Sequence, residues 1–201
     1  MRFLALGDSY TIGESVAEQE RWPVQLAALL RAQGVAVNDP VIIAHTGWTT
    51  DELAAGIAQV NPHGPFDLVA LLIGVNNQYR GRDLGEYWKQ FAALLAQAIE
   101  LAGGEAWRVF VLSIPDWGVT PFAQRQRRDV GQIAAEIDNF NAVNRAESAR
   151  RGVLYVDVTP ISRQAADERT WLADDGLHPS GDMYAQWAAL ALPQLCAQLA
   201  R

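Results

Sequence analysis

Five short runs, Phe3–Leu6, Val41–Ala44, Leu68–Ile73, Val109–Leu112 and Val153–Val156, are apolar at consecutive positions rather than at every second one. A strand with one wet face alternates, whereas a strand covered on both faces does not, and double coverage is the habit of parallel sheets. Between the runs lie stretches with apolar residues at helical spacing: Trp22, Leu26, Leu29 and Leu30; Trp88, Phe91, Leu94 and Leu95; Ile133, Ile137 and Phe140; and Tyr184, Trp187, Leu190 and Leu192. Parallel neighbours joined through helices need right-handed crossovers, which lay helices on both faces of the sheet. The expected fold class is therefore α/β, a three-layer α/β/α arrangement around a five-stranded parallel sheet. No repeat, low-complexity run or linker divides the chain, and 201 residues of which half are apolar can bury one core, so residues 1–201 read as a single domain.

Charge and cysteine usage narrow the partners. The formal net charge of −7 would repel a polyanion, so nucleic acid is not an expected partner. The lone cysteine, Cys196, cannot close an internal disulfide, and it has no clustered histidines that would give metal-ligand spacing. That suits a reducing compartment. Gly7-Asp8 interrupts the first apolar run after about four residues, too early for an export signal, and no run approaches the roughly 18 apolar residues of a membrane span. A cytoplasmic protein is expected, or a periplasmic or secreted one if a signal has been removed.

The unusual residues fall where such a sheet binds ligands. Gly7-Asp8-Ser9 follows the first run, Thr46-Gly47-Trp48 the second and Gly74-Val75-Asn76-Asn77 the third. The carboxyl ends of parallel strands share one edge, and ligands sit in the crevice outside it where the strand order reverses. Asp174-Asp175-Gly176-Leu177-His178-Pro179 lies just before the last helical stretch, and a helix start there can face the same edge.

A serine hydroxyl becomes a useful nucleophile when a histidine takes its proton and a carboxylate orients that imidazole. Ser9, His178 and Asp175 supply the three types. Asp175 is preferred over Asp174 because a single turn sets a carboxylate three residues away beside the ring. Pro179 disfavours helical backbone at His178 and suits a helix start, which would hold the histidine at a helix mouth. Acyl transfer also needs donors aimed at the developing oxyanion. Gly47 and Asn76 are candidates, with the N–H of Ser9 as a third.

These blocks, Gly-Asp-Ser at 7–9, the glycine at 47, Gly-x-Asn at 74–76 and Asp-x-x-His at 175–178, stand in the order seen in the SGNH hydrolase superfamily, also called the GDSL esterase/lipase family, which the chain resembles nearly end to end. The resemblance implies a flavodoxin-like fold and hydrolysis of an ester or thioester without cofactor or metal. It implies Ser9 as nucleophile, His178 as general base and acid, Asp175 as its support, and an oxyanion hole from Ser9, Gly47 and Asn76. The implied partner is a small-molecule ester, with short or soluble esters preferred because no long apolar lid insertion is evident. Two positions depart from the family. Tyr10 replaces the leucine of GDSL, and Asn77 stands where aspartate is usual, which removes a charge and leaves the usual supporting hydrogen bonds in question. Ser113-Ile114-Pro115-Asp116-Trp117-Gly118 resembles the family's loop after the fourth strand and is expected to wall a pocket.

Other residues have simpler readings. His45 reads as structural, His63 as an exposed loop residue, Cys196 as a small buried hydrophobe and Arg125-Gln126-Arg127-Arg128 as a solvated helix start. Trp48, Trp117 and Trp171 lie near the proposed rim, and each reads equally well as pocket lining or as ordinary core. The alternative function is a flavodoxin-like module without hydrolase activity, holding FMN or another phosphate on Ser9, Tyr10, Thr11 and Gly13 at the following helix. That segment, however, has neither GxxxxGK[ST] nor GxGxxG, and Gly47, Asn76 and His178 would have no task.

Overall fold

The five apolar runs form the five strands of one sheet: β1 (Phe3–Gly7), β2 (Val41–Ala44), β3 (Leu68–Leu72), β4 (Val109–Leu112) and β5 (Leu154–Val156). The structure, a computed structural model, describes residues 1–200. Every pairing is parallel and the order is β2-β1-β3-β4-β5. The chain leaves β1 toward one edge and then returns to pair β3 on the other side of β1, so the order reverses between β1 and β3. Gly7 ends β1 in register with Ala44 of β2 and Leu72 of β3, which brings three loops to one place on the carboxyl edge.

The helices are α1 (Ser9–Ile12), α2 (Trp22–Ala32), α3 (Thr50–Val60), α4 (Val75–Tyr79), α5 (Leu84–Leu101), α6 (Pro121–Gln126), α7 (Val130–Arg151), α8 (Thr159–Arg163) and α9 (Gly181–Leu199). α2 packs on α9, and Trp22 of α2 meets Phe110 of β4 edge-on at 6.2 Å. α5 packs between α3 and α7 and lies against β3. The result is the expected three-layer α/β/α arrangement, with one continuous apolar cluster running through sheet and helices.

Three local expectations are corrected. β2 is not covered on both faces; it is an edge strand paired only with β1, and Val41 is 49% exposed. Trp88 does not belong to the inward stripe of α5. Tyr87, four residues before Phe91, leads that stripe, while Trp88 is 51% exposed and donates its indole N–H to Glu147 Oε1 of α7 at 2.7 Å. Leu190 is likewise exposed, because the inner face of α9 runs through Trp187, Ala188, Ala191 and Leu195.

Candidate active site

Ser9 is the first residue of α1, separated from the end of β1 only by Asp8, and it is buried. The close approach needs Gly7: a Cβ there would lie 2.1 Å from Thr11 Oγ1 and 2.4 Å from the Leu72 carbonyl oxygen. Asp8 caps the short helix, its Oδ1 accepting the Tyr10 N–H at 3.1 Å. Burial pushes the Asp8 carboxyl up to about 7, against the lowering pull of the Tyr10 and Asp8 N–H groups.

This raised value has a sign that can be tested. Between the ordinary carboxylate value of 3.8 and about 7 the folded chain holds a proton that the unfolded chain has lost, so stability falls as pH rises through that window. Asp8→Asn keeps an acceptor for Tyr10 but cannot ionise. In urea unfolding across this window the parent loses up to about 4 kcal/mol that Asp8→Asn keeps. Parallel slopes for the two proteins would contradict the burial account.

His178 sits in the loop before α9, as Pro179 requires. The loop closes on itself through Ala173 N–H to the His178 carbonyl at 2.8 Å and Gly176 N–H to the Ala173 carbonyl at 3.0 Å, and Ser180 caps the helix. Asp175 Oδ2 lies 2.6 Å from His178 Nδ1, and Asp175 Oδ1 accepts the N–H groups of Leu177 (2.8 Å) and His178 (3.0 Å). The carboxylate that meets the ring is therefore that of Asp175, not that of Asp174. Partial burial raises the Asp175 carboxyl, but the bonds from the His178 ring, the two backbone N–H groups and the Ser15 hydroxyl outweigh it and hold the group at about 2. An ionised carboxylate can only accept, so the proton lies on Nδ1 and Nε2 is left to exchange one. The Tyr10 ring packs against the imidazole, centroid to centroid 5.3 Å.

Ser9, His178, Gly47 and Asn76 line one cavity of about 180 Å³, while Asp175 stands behind His178 outside it. Gly47, with φ +84, turns the chain after β2, and its carbonyl accepts from Arg80 Nη2 at 2.6 Å. Asn76, in the first turn of α4, donates from Nδ2 to the Trp48 carbonyl at 3.0 Å, which fixes the amide against the loop carrying Gly47. Asn77 is buried beneath: its Oδ1 accepts the Thr50 N–H at 3.1 Å and its Nδ2 donates to Thr50 Oγ1 at 2.8 Å. A carboxylate could make the first bond, but it could reach Oγ1 only by taking the hydroxyl proton that Thr50 gives to Gln90 Oε1, so the amide joins α4 to the start of α3 by a pair of its own.

Apart from Thr46, the rest of the cavity is apolar or aromatic. Trp117 is part of it, its indole N–H donating to the buried Gln78 Oε1 at 2.8 Å. Tyr79 and Phe122 flank it, with ring centroids 5.3 Å and 6.0 Å from that of Trp117. Trp48 instead packs over Gly56 and stacks on His45 at 5.5 Å, and Trp171 lies outside the cavity. His45 is exposed with Nδ1 2.9 Å from the Thr46 carbonyl oxygen, and His63 is an exposed loop residue. Cys196 is half-buried against the core rather than fully enclosed. The basic run is corrected too: Arg125 lies in the last turn of α6, not at a helix start, and the Arg128 guanidinium packs 5.1 Å over the Trp117 ring. Sequence reasoning missed Tyr79, Phe122, Leu177 and Ser15, whose only signal was nearness to a motif.

A profile of the GDSL-like lipase/acylhydrolase family matches residues 5–186, a span that takes in all four blocks. The chain belongs to this family. It is accordingly a carboxylic ester hydrolase. Among curated protein sequences none matches it. Solved structures share its fold: TesA is 18% identical, with 98% of this chain and 99% of that one covered and a TM-score of 0.76. The psychrotrophic esterase EstA from Pseudoalteromonas sp., described as inhibited by monoethylphosphonate, is 16% identical over 100% and 99% at 0.69. The acetylxylan esterase Axe2 from Geobacillus stearothermophilus is 20% identical over 96% and 93% at 0.70. Among the described residues of this chain, no helix is long and apolar enough to cross a membrane.

Proposed function

We propose that the chain hydrolyses small, short-acyl esters by two-step acyl transfer through Ser9. The observation that carries this reading is the 2.6 Å contact between Asp175 and His178, with His178 and Ser9 facing one cavity. Ser9 Oγ attacks the ester carbonyl carbon as His178 Nε2 takes the hydroxyl proton. The oxyanion is met by the N–H groups of Ser9 and Gly47 and by the amide N–H of Asn76 that does not bond Trp48. His178, now an imidazolium held by Asp175, passes its proton to the departing alkoxide and leaves an acyl-Ser9 ester. Water then attacks that ester, giving a proton to His178, and the collapse returns the proton to Ser9 and frees the acid.

The acyl-length preference follows from the walls. A cavity of about 180 Å³ walled on one side by the rings of Tyr79, Trp117 and Phe122 suits a few carbons, not a fatty chain. Hydrolysis of p-nitrophenyl esters is expected to peak at acetyl to butyryl and to fall sharply by decanoyl. Phe122 is half-buried on α6, so Phe122→Ala opens the wall without emptying the core, and the decanoyl-to-acetyl rate ratio rises roughly tenfold or more. An unchanged ratio would remove Phe122 from the acyl wall. The phosphate-binding alternative is disfavoured on two grounds. Asp8 already takes the Tyr10 N–H that a phosphate would need. The cavity is also below the roughly 300 Å³ at which sites for larger ligands begin.

A further inference from the structure

The chain leaves α1 through two left-handed residues, Gly13 with φ +67 and Ser15 with φ +66. Glycine adopts that backbone freely, whereas for serine it is strained, and such strain persists only where its surroundings hold it. At this position the Ser15 hydroxyl reaches a residue 160 positions away, donating to Asp175 Oδ2 at 2.8 Å. That is the oxygen that also receives His178 Nδ1. Glu14, between the two left-handed residues, accepts from the Thr46 hydroxyl beside Gly47. One turn thus ties the helix bearing Ser9 to the loop bearing Gly47 and to the loop bearing Asp175.

We propose that Ser15 is a positioning residue of the esterase site, its hydroxyl holding the Asp175 carboxylate against His178. The inference rests on the proposed joint action of Ser9, His178 and Asp175. The Leu177 and His178 N–H groups pin Asp175 Oδ1, but the oxygen that must stay with the ring has, besides the ring itself, Ser15 as its donor. Without that donor the carboxylate can rock about the pinned oxygen. The imidazole it steers then spends less time aligned for proton transfer with Ser9, a loss in turnover rather than in substrate binding.

Two variants that both delete the hydroxyl separate this role from a structural one. Ser15→Gly relieves the left-handed backbone, and Ser15→Ala keeps it, so Ser15→Gly melts about 2–4 °C above Ser15→Ala. With p-nitrophenyl acetate, kcat falls about tenfold in both variants while KM stays within about twofold. Equal loss of turnover at unequal stability is the signature of a lost hydroxyl. Parental kcat in both variants, with Ser9→Ala inert in the same assay, overturns the role of Ser15 alone. Loss in Ser15→Ala but not in Ser15→Gly assigns the effect to the backbone and also overturns it. A Ser9→Ala protein as active as the parent overturns the reading of the site and this inference with it.

Discussion

Ser9→Ala lowers kcat for p-nitrophenyl acetate by about a millionfold, to a rate set by whatever the oxyanion donors and binding alone supply. The size follows from the division of labour. In the proposed mechanism Ser9 is the nucleophile, so its removal leaves His178 and Asp175 with nothing to activate, and the contribution of all three goes at once rather than in parts. The fold is not at risk, because alanine is a good helix former, Ser9 is the first residue of the four-residue α1, and Asp8 rather than Ser9 caps it. Circular dichroism and melting temperature should match the parent while turnover disappears. A variant that keeps a tenth of parental kcat would mean that the buried serine is only the start of a helix.

Asp175→Asn lowers kcat by about ten-thousandfold with little change in shape. The asparagine oxygen can still accept the N–H groups of Leu177 and His178, so the loop keeps its form. Its amide nitrogen, however, is turned toward His178 Nδ1, and an amide donor there forces the imidazole proton onto Nε2. The nitrogen that should take the Ser9 proton is then already protonated. In the parent, Asp175 is held at about 2, so the carboxylate stays ionised through the ordinary carboxylate range and does not set the acid limb of the kcat/KM profile. For stability the sign is that of a lowered acid: the contribution is present above the ordinary carboxylate value of 3.8 and is lost as pH falls toward about 2. Parent and Asp175→Asn therefore converge in urea midpoint in that acid window, and the parent leads above it.

Much of the fold was legible because buried parallel strands leave an unmistakable trace. The runs at β1, β3 and β4 are apolar on both faces and are buried on both faces. The runs that became edges, β2 and β5, looked the same in sequence, since composition does not say which strand lacks a neighbour. Helical stripes were located to within a residue or two and not better. Trp88 and Tyr87 are adjacent, both aromatic, and only packing against α7 decides that Tyr87 turns inward, where its hydroxyl donates to Asn144 Oδ1 at 2.7 Å.

The candidate site divides along the same line. Ser9, Gly47, Asn76, Asp175 and His178 could be singled out because the chemistry demands those types at strand ends and before a helix. The aromatic wall could not, since Tyr79, Trp117 and Phe122 come from α4, from the loop after β4 and from α6, and no spacing links them. Ser15 was equally silent, being a common residue in a turn whose partner lies at the far end of the chain.

The most direct measurement is of a covalent bond. The purified parent, Ser9→Ala and Asp175→Asn are each incubated with an activated phosphonate ester, a reagent that traps an activated serine with loss of its leaving group, and are then weighed intact and mapped by peptide. The account predicts one phosphonyl group on the parent at Ser9, none on Ser9→Ala, and labelling of Asp175→Asn slowed by orders of magnitude. A parent that stays unlabelled while hydrolysing p-nitrophenyl acetate, or a label found on any residue other than Ser9, would contradict it.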